Sequence, residues 1–165
     1  MKTIYLVRHA KSSWSDMTLD DFDRPLNKRG KRDAPIMAQW LHDTTKQLDI
    51  IISSPAKRAK ATAKQFAKVF KVDIDFHKSL YHAGDEEILS AIFGVNEAYS
   101  KIALFGHNPG FTYFANKFVD GESYIDNVPT CGIVCIQSTV DSWTSFNESN
   151  SKVKFFIYPK KLNKE

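Results

Sequence analysis

The 165-residue chain has no long apolar run. Its first apolar stretch covers only residues 4–7 and stops at Arg8, which is too short for the core of a signal peptide. No other stretch approaches the roughly 20 apolar residues that a helix needs to cross a bilayer. We therefore expect no membrane span and no membrane partner, and we take the cytoplasm as the expected location.

Cysteine is also scarce. The two cysteines, Cys131 and Cys135, lie four positions apart in an apolar segment. Within one extended strand this spacing puts both side chains on the same face, but their Cα atoms are then too far apart for a disulfide bond. We expect two reduced core residues, which fits a reducing compartment.

Several ligand-binding patterns are missing. Gly106 and Gly110 are too few and wrongly spaced for a P-loop, and the Cys and His spacings of zinc sites do not occur. The 23 Lys and Arg residues outnumber the 19 Asp and Glu residues only slightly, and the net charge is +4. The basic residues are spread out, so we expect no nucleic-acid partner. The positive charge fits an anionic substrate, and it fits an ordinary soluble surface equally well.

The chain does contain an alternation of strands and helices. We predict strands at residues 3–7, 48–54, 72–80, 102–105, 133–137 and 153–158. We predict helices at residues 28–45, 55–71, 84–93 and 112–119, with a polar loop at 11–27 and a frayed tail at 160–165. Apolar strands that alternate with amphipathic helices are typical of an α/β three-layer sandwich with a mainly parallel central sheet. At this length we expect a single domain over residues 1–165.

Three of the predicted parallel strands lead into polar, reactive side chains. The first strand runs into Arg8 and His9, the second is followed by Arg58 in the next helix, and the fourth runs into His107. The carboxyl ends of parallel strands lie along one edge of a sheet. We therefore expect these side chains to surround one pocket.

Two arginines and two histidines around one pocket suit a phosphate group. Planar guanidinium groups can hold two oxygens of a tetrahedral anion at once, and a helix N-terminus adds N–H donors. A neutral imidazole can attack phosphorus, and nearby cations favour its neutral form. The same cations offset charge on the transferred group, so we expect no metal and no other cofactor. Taken singly, each residue has a plainer alternative, because a lone histidine is more often structural and a lone arginine more often solvated.

Four segments together resemble the histidine phosphatase superfamily, the phosphoglycerate mutase-like enzymes. They are Arg8-His9 after the first strand, Ser-Ser-Pro-Ala-Lys-Arg-Ala-Lys-Ala-Thr-Ala at residues 53–63, Gly-His-Asn-Pro at 106–109 and Asp-Arg-Pro-Leu-Asn-Lys-Arg-Gly at 23–30. Their order and spacing agree with that family over residues 1–120. The short chain and the Asp-Arg-Pro-Leu segment are most similar to the SixA branch, known as phosphohistidine phosphatases.

The resemblance implies a fold, a role for each residue and a kind of substrate. The fold would be phosphoglycerate mutase-like. His9 would be the nucleophile, Arg8 and Arg58 would clamp the phosphate, and His107 would bind and stabilise the transferred group. Arg24 would line the mouth of the pocket. The expected substrate is phosphorylated, with phosphohistidine on a protein as the first expectation.

The proton donor is open. Many members of this superfamily carry a carboxylate after the third strand, where this chain has Asp85 and Glu86, and His82 is a third candidate. The alternative is that Asp85 caps the short helix and that Glu86 favours its first turn. Phosphohistidine leaves readily once its nitrogen is protonated, so a dedicated acid matters less for it than for a phosphate ester.

Three other functions are open from the sequence alone. They are a phosphatase for small phosphate esters, a mutase, and a phosphate-binding module without catalysis. A mutase needs a closed site that excludes water, and this chain has little room for a large lid. The presence of both histidines and both arginines argues against a silent binding module.

Other conspicuous residues receive plainer interpretations. We expect all three tryptophans, Trp14, Trp40 and Trp143, to be packing groups. His77 lies away from the predicted strand ends, and we expect it at the surface. Lys11 is close enough to the predicted pocket to attract anions, or it is simply solvated.

Overall fold

The computed structural model describes residues 1–163, in which a six-stranded sheet lies between two layers of helices. The strands are β1 (Lys2–Arg8), β2 (Ile50–Ser53), β3 (Ile74–Phe76), β4 (Lys101–Gly106), β5 (Ile133–Ser138) and β6 (Ser151–Ile157). The helices are α1 (Lys28–Thr45), α2 (Lys57–Phe70), α3 (Asp85–Phe93), α4 (Gly110–Asn116) and the short α5 (Pro159–Leu162). Short 3₁₀ helices occupy Asp21–Asp23, Lys78–Leu80, Trp143–Ser145 and Glu148–Asn150.

The strand order in the sheet is β3-β2-β4-β1-β5-β6. The first four strands in this order run parallel, and β5 and β6 are antiparallel additions beside β1. This confirms the predicted α/β sandwich with a mainly parallel sheet. It also places the carboxyl ends of β2, β4 and β1 side by side.

Strand β1 shows why both faces of the sheet need a helical layer. Ile4 and Leu6 belong to one buried cluster, whereas Tyr5 and Val7 belong to the other. Helices α3 and α4 pack on the first face, and α1 and α2 pack on the second. Burial of each large apolar side chain stabilises the fold by about 1.5–3 kcal/mol. A strand with four consecutive apolar residues, as at positions 4–7, gains this only if both of its faces are covered.

Helix α1 begins at the predicted residue because Asn27 caps it. The Asn27 Oδ1 atom accepts a hydrogen bond from the Gly30 N–H at 2.9 Å, which satisfies one of the donors that a helix start leaves unpaired. Pro35 lies inside the helix without ending it, and the helix continues to Thr45. Within residues 1–163, neither α1 nor any other helix combines the length and the apolarity needed to cross a membrane.

The strand predicted at residues 72–80 and the helix predicted at residues 55–71 are both longer than the observed β3 and α2. The strand predicted at 72–80 is only three residues long, because its partner β2 ends at Ser53, opposite Phe76. A 3₁₀ helix follows it and buries Leu80. Helix α2 begins at Lys57, so Pro55 precedes the helix instead of occupying its first turn.

The tail predicted to be frayed at residues 160–165 is in part helical. Pro159 takes the first position of α5, where its missing N–H costs no intrahelical hydrogen bond. Leu162 packs against the buried cluster on the α1 and α2 side. Residues 164–165 lie outside the described residues.

Both cysteines are buried and neither forms a disulfide bond. They belong to the same cluster, as expected, although Cys131 lies just before β5 and has a positive φ of 62°. Burial raises the pKa of both thiols, that of Cys135 to about 12, and the Asp33 carboxylate adds to the rise at Cys131. Both thiols are therefore protonated at neutral pH.

Candidate active site

The strand ends bring the residues selected from the sequence to one edge of the sheet. Arg8 is the last residue of β1 and His9 follows it, His107 follows β4, and Arg58 lies in the first turn of α2, just beyond β2. The His9 N–H donates a hydrogen bond to the Gly106 carbonyl oxygen at 3.1 Å, which fixes the end of β1 against the end of β4.

These four side chains form one cluster. Arg58 Nε donates a hydrogen bond to His9 Nε2 at 3.3 Å, and the rings of His9 and His107 have centroids 5.2 Å apart. His9, Arg58 and His107 are 6%, 3% and 4% exposed. Arg8 is half-buried, and its Nη1 atom donates to the Val128 carbonyl oxygen at 3.0 Å. The structure thus brings together the two arginines and two histidines that the sequence places at strand ends.

His9 has the protonation state that a nucleophile needs. Its Nδ1 atom lies 2.7 Å from the Ala10 carbonyl oxygen, which can only accept, so we assign the ring proton to Nδ1 and the lone pair to Nε2. Burial lowers the pKa of His9 to about 3; the hydrogen bond to Ala10 opposes this shift, and the charges of Arg58 and Arg8 add to it. At neutral pH the ring is therefore uncharged, with its lone pair directed towards Arg58.

Ser54 orients the second histidine. His107 Nε2 lies 2.8 Å from Ser54 Oγ, and the Ala56 N–H donates to the same oxygen at 3.2 Å. Among residues 1–163 the Ser54 hydroxyl proton has no other acceptor, so we assign this proton to the bond with Nε2 and the ring proton of His107 to Nδ1. Burial, followed by the neighbouring His9 and Arg58, lowers the pKa of His107 to about 3. His107 is therefore a neutral donor at neutral pH.

Three buried nitrogen atoms of the predicted site residues have no hydrogen-bond partner among residues 1–163. They are Nε of Arg8, Nη1 of Arg24 and Nδ1 of His107. Leaving a buried donor unpaired costs about 1–3 kcal/mol, so the site suits a ligand rich in acceptor oxygens. Over the same residues, no group of three His, Cys, Asp or Glu side chains is arranged to hold a metal ion.

Asp21, which the sequence did not single out, connects the arginines at the mouth of the site. Its carboxylate accepts hydrogen bonds from Arg58 Nη2 at 2.9 Å, Arg24 Nε at 3.2 Å and Tyr81 Oη at 2.6 Å. Its carbonyl oxygen accepts from Arg58 Nη1 at 2.6 Å. Partial burial opposes ionisation, but the hydrogen bonds from Tyr81 and Arg58 and the arginine charges outweigh it and hold the pKa of Asp21 well below its usual range. Asp21 is therefore an anion at neutral pH.

Arg24 and Trp14 form another part of the mouth. The Arg24 guanidinium group is buried and stacks over the Trp14 ring, 3.5 Å from its centroid. Trp14 is itself 63% exposed, so it packs on one face only. Trp40, packed against Phe155, and the fully buried Trp143 are the packing groups that the sequence predicts.

The carboxylates considered as proton donors are not bonded to this cluster in the described residues. Asp85 Oδ2 pairs with Lys117 Nζ at 2.8 Å, and Glu86 is exposed in the first turn of α3. Asp85 does not cap the helix, because Gly84 occupies the cap position. No hydrogen bond or ion pair in the described part of the chain joins either carboxylate to the four clustered residues. His82, by contrast, lies at the mouth, with its Nε2 atom 3.9 Å from Asp21 Oδ2.

Comparison with known proteins gives a consistent result. Residues 4–104 match the family model of the histidine phosphatase superfamily (branch 1). An uncharacterised chloroplastic protein of Arabidopsis thaliana is 32% identical over 153 residues, which cover 86% of this chain and 69% of that protein.

Solved structures share the fold over nearly the whole chain. A candidate phosphohistidine phosphatase SixA from Agrobacterium tumefaciens has a TM-score of 0.81 and 28% identity, and the match covers 96% of this chain and 98% of that one. The protein histidine phosphatase SixA complexed with tungstate has a TM-score of 0.79 and 21% identity, over 97% and 99% of the two chains. At that lower identity the likeness concerns the fold alone.

Proposed function

The chain belongs to the histidine phosphatase superfamily, and from this premise we propose that it hydrolyses protein phosphohistidine through a covalent intermediate on His9. The family match, together with a SixA-type structure at 28% identity, makes the chain a phosphatase. The observation that carries the narrower proposal is the neutral, buried His9 ring, whose Nε2 lone pair faces the Arg58 guanidinium group. The likeness to SixA-type structures supports phosphohistidine as the substrate.

The site residues divide the work of binding the phosphoryl group. Arg8 and Arg58 donate to its non-bridging oxygens, and the Nδ1–H of His107 supplies a further donor. Arg24 adds positive charge at the mouth. Arg8 Nε and His107 Nδ1 have no partner among residues 1–163 and can stabilise the charge that the oxygens carry in the transition state. Arg58 Nε turns from His9 Nε2 to a phosphoryl oxygen as that nitrogen attacks.

The reaction then proceeds in two displacements. His9 Nε2 attacks phosphorus, the bond from phosphorus to the substrate imidazole breaks, and its electron pair leaves with the imidazole nitrogen, which is protonated from solvent. Water next attacks the phosphorylated His9 and releases inorganic phosphate, which restores the neutral ring. The cations around the phosphoryl group supply the electrostatic stabilisation, so the proposal needs no metal.

The proposed proton source differs from the carboxylates considered at first. Asp85 is engaged by Lys117 and Glu86 points to solvent, so neither is placed to protonate a leaving group on His9. His82 lies at the mouth instead. We therefore propose solvent, admitted past His82, as the proton source for a leaving imidazole.

The proposed substrate is a histidine side chain on a protein, and the proposed compartment is the reducing cytoplasm. The exposed Trp14 and His82 leave the mouth accessible to a side chain that protrudes from another molecule. The two unpaired, buried cysteines support a reducing environment.

The decisive variant is His9→Ala. We expect hydrolysis of a phosphohistidine peptide to fall by about 10³-fold or more, and the acid-labile phosphoenzyme to disappear, because the nucleophile is gone. Circular dichroism should show an unchanged fold. The matched control is His77→Ala, which removes a histidine outside the site and should keep full activity. Activity that survives His9→Ala would contradict the mechanism.

A substrate panel separates this function from its alternatives. Phosphohistidine peptides, phosphoserine, phosphotyrosine and sugar phosphates are compared with a chelator present. A preference for a small ester would favour a phosphomonoesterase, and the absence of any turnover would favour a binding module. Activity that the chelator abolishes would contradict a metal-free reaction.

A further inference from the structure

A groove of about 510 Å³ lies beside the proposed active site and has Arg8 in its wall. We call it the basic groove and define it by its cationic lining, Arg8, Lys11, Arg29, Arg32 and Lys160. The proposed reaction uses only the first of these residues. The other four have no role in holding or transferring the phosphoryl group.

The basic groove carries a net positive charge. Among residues 1–163, its five cations face one carboxylate, Asp33, which is 5% exposed and lies 3.2 Å from Arg32 Nε and 3.9 Å from Arg29 Nε. The resulting excess of four positive charges equals the net charge of the whole chain, +4. The remaining charges of the chain sum to zero, and the basic groove attracts an anionic partner.

The size and construction of the basic groove indicate what kind of anion fits. Lys11 comes from the loop that follows His9, Arg29 and Arg32 lie one turn apart on α1, and Lys160 lies on α5. A volume of this size matches pockets that hold ligands much larger than a single phosphate. Cations contributed by separate segments along such a groove suit a chain that bears several carboxylates.

We propose that the basic groove binds an acidic segment of the protein substrate, adjacent in sequence to its phosphohistidine. The inference rests on the proposed function, because Arg8 is the wall shared by the groove and the phosphate site. Carboxylates of the segment pair with Lys11, Arg32 and Lys160 while the phosphohistidine reaches His9. Such exposed pairs act mainly on the rate of association, so their effect weakens as salt is added.

The test compares two phosphohistidine peptides that differ only in their flanks, one rich in Asp and Glu and one with Ser and Gln instead. For the unmodified protein at low salt, we expect kcat/KM to be about three- to tenfold higher for the acidic peptide, and the ratio to fall towards one in high salt. The double variant Arg32→Gln, Lys160→Glu should lose this preference while it hydrolyses the neutral peptide at the unmodified rate.

The matched control removes the same charge elsewhere. Lys64 and Lys68 are exposed on α2 and do not line the basic groove, so Lys64→Glu, Lys68→Gln should keep the preference for the acidic peptide. Equal kcat/KM values for the two peptides, or an equal loss of preference in both double variants, would overturn the inference and leave the proposed function standing. Failure to hydrolyse either peptide would overturn the proposed function as well.

Discussion

Asp21 is the residue that organises the mouth without making or breaking a bond. Two nitrogens of Arg58 donate to Asp21, which leaves Arg58 Nε pointing at His9. The same carboxylate holds Arg24 and Tyr81. We therefore assign Asp21 as a positioning residue that fixes the orientation of the phosphate clamp.

Asp21→Asn tests this assignment because it keeps the size of the side chain and removes the charge. We expect kcat to fall about tenfold, since Arg58 loses its fixed orientation. The affinity for inorganic phosphate as a competitive inhibitor should rise, since a neighbouring negative charge has gone. Steady-state kinetics with phosphate inhibition measures both effects.

The control for Asp21→Asn is Asp23→Asn, which alters an exposed aspartate of the same 3₁₀ helix. It should change neither kcat nor phosphate inhibition. An unchanged kcat in Asp21→Asn would show that Asp21 does not position Arg58.

The residues of the site divide into those that the sequence reveals and those that it does not. Arg8 and His107 could be predicted because each lies at the end of a recognisable strand, and Arg58 because it lies in the first turn of the helix after one. Asp21 lies in a polar loop next to Asp20 and Asp23, and a loop has no periodicity that shows which side chain turns inward. Its closeness to Arg24 in the chain is the one signal that could have drawn attention to it.

Among the elements, the start of α1 supports the loop that leaves the active site. The Asn27 N–H donates to the Lys11 carbonyl oxygen at 3.0 Å, and Gly30 packs directly on that oxygen. A Cβ atom at Gly30 would overlap with it. The glycine is therefore required by close contact between the helix and the backbone two residues beyond His9.

Gly30→Ala should consequently disturb both stability and catalysis. We expect a loss of about 1–3 kcal/mol in the free energy of unfolding, because the backbone of Lys11 must move to make room. A lower kcat/KM should accompany it. Urea unfolding measures the first effect, and Gly121→Ala, where a Cβ meets nothing within 4 Å, should stay within about 0.5 kcal/mol of the unmodified protein. Equal stabilities of the two variants would contradict the packing argument.

The sequence predicts elements best where their signals are local. Both ends of α1 agree with prediction because an apolar stripe and the Asn27 cap define that helix without help from other segments. The length of β3 depends instead on how far β2 can pair with it, and the strand order depends on contacts between distant segments. The short α5 could have been predicted from a local signal, because Pro159 is typical of the first position of a helix. The prediction of a frayed tail did not use this signal.

For the whole molecule, we propose that the chain folds as one domain. The two buried clusters lie on opposite faces of the same strands, so neither can separate without exposing the sheet. This organisation could be anticipated from alternating strands and helices. The basic groove could not, because Lys11, α1 and α5 become neighbours only when the chain folds.

As the pH falls, the protein should begin to lose stability at a higher pH than protonation of its carboxylates alone would cause. The pKa values of His9 and His107 are lowered to about 3, whereas in the unfolded chain they lie near 6.5. Between about pH 6.5 and pH 3 the two histidines are protonated in the unfolded state but not in the native state. The free energy of unfolding is therefore highest above about pH 6.5 with respect to these groups and decreases as the pH falls. We expect the free energy of unfolding to drop by roughly 2–5 kcal/mol between about pH 7 and pH 4.5.

Urea unfolding at several pH values measures this drop. The double variant His9→Gln, His107→Gln should flatten the pH dependence, whereas His77→Gln should not. Asp21, whose pKa is depressed, contributes stability that is lost only below its ordinary range near 3.8, outside this window. If the free energy of unfolding of the double variant still falls with pH as steeply as that of the unmodified protein, these histidines are not the source of the drop.

The burial of both thiols has a practical consequence for labelling. Cys131 and Cys135 are the only cysteines of the chain, and both are shielded from solvent with a raised pKa. Maleimides and similar reagents attack the exposed thiolate, so the natural chain offers them almost nothing to react with. A cysteine introduced by Arg32→Cys would be modified selectively. A fluorophore can therefore report on the basic groove in a protein that keeps both of its own cysteines.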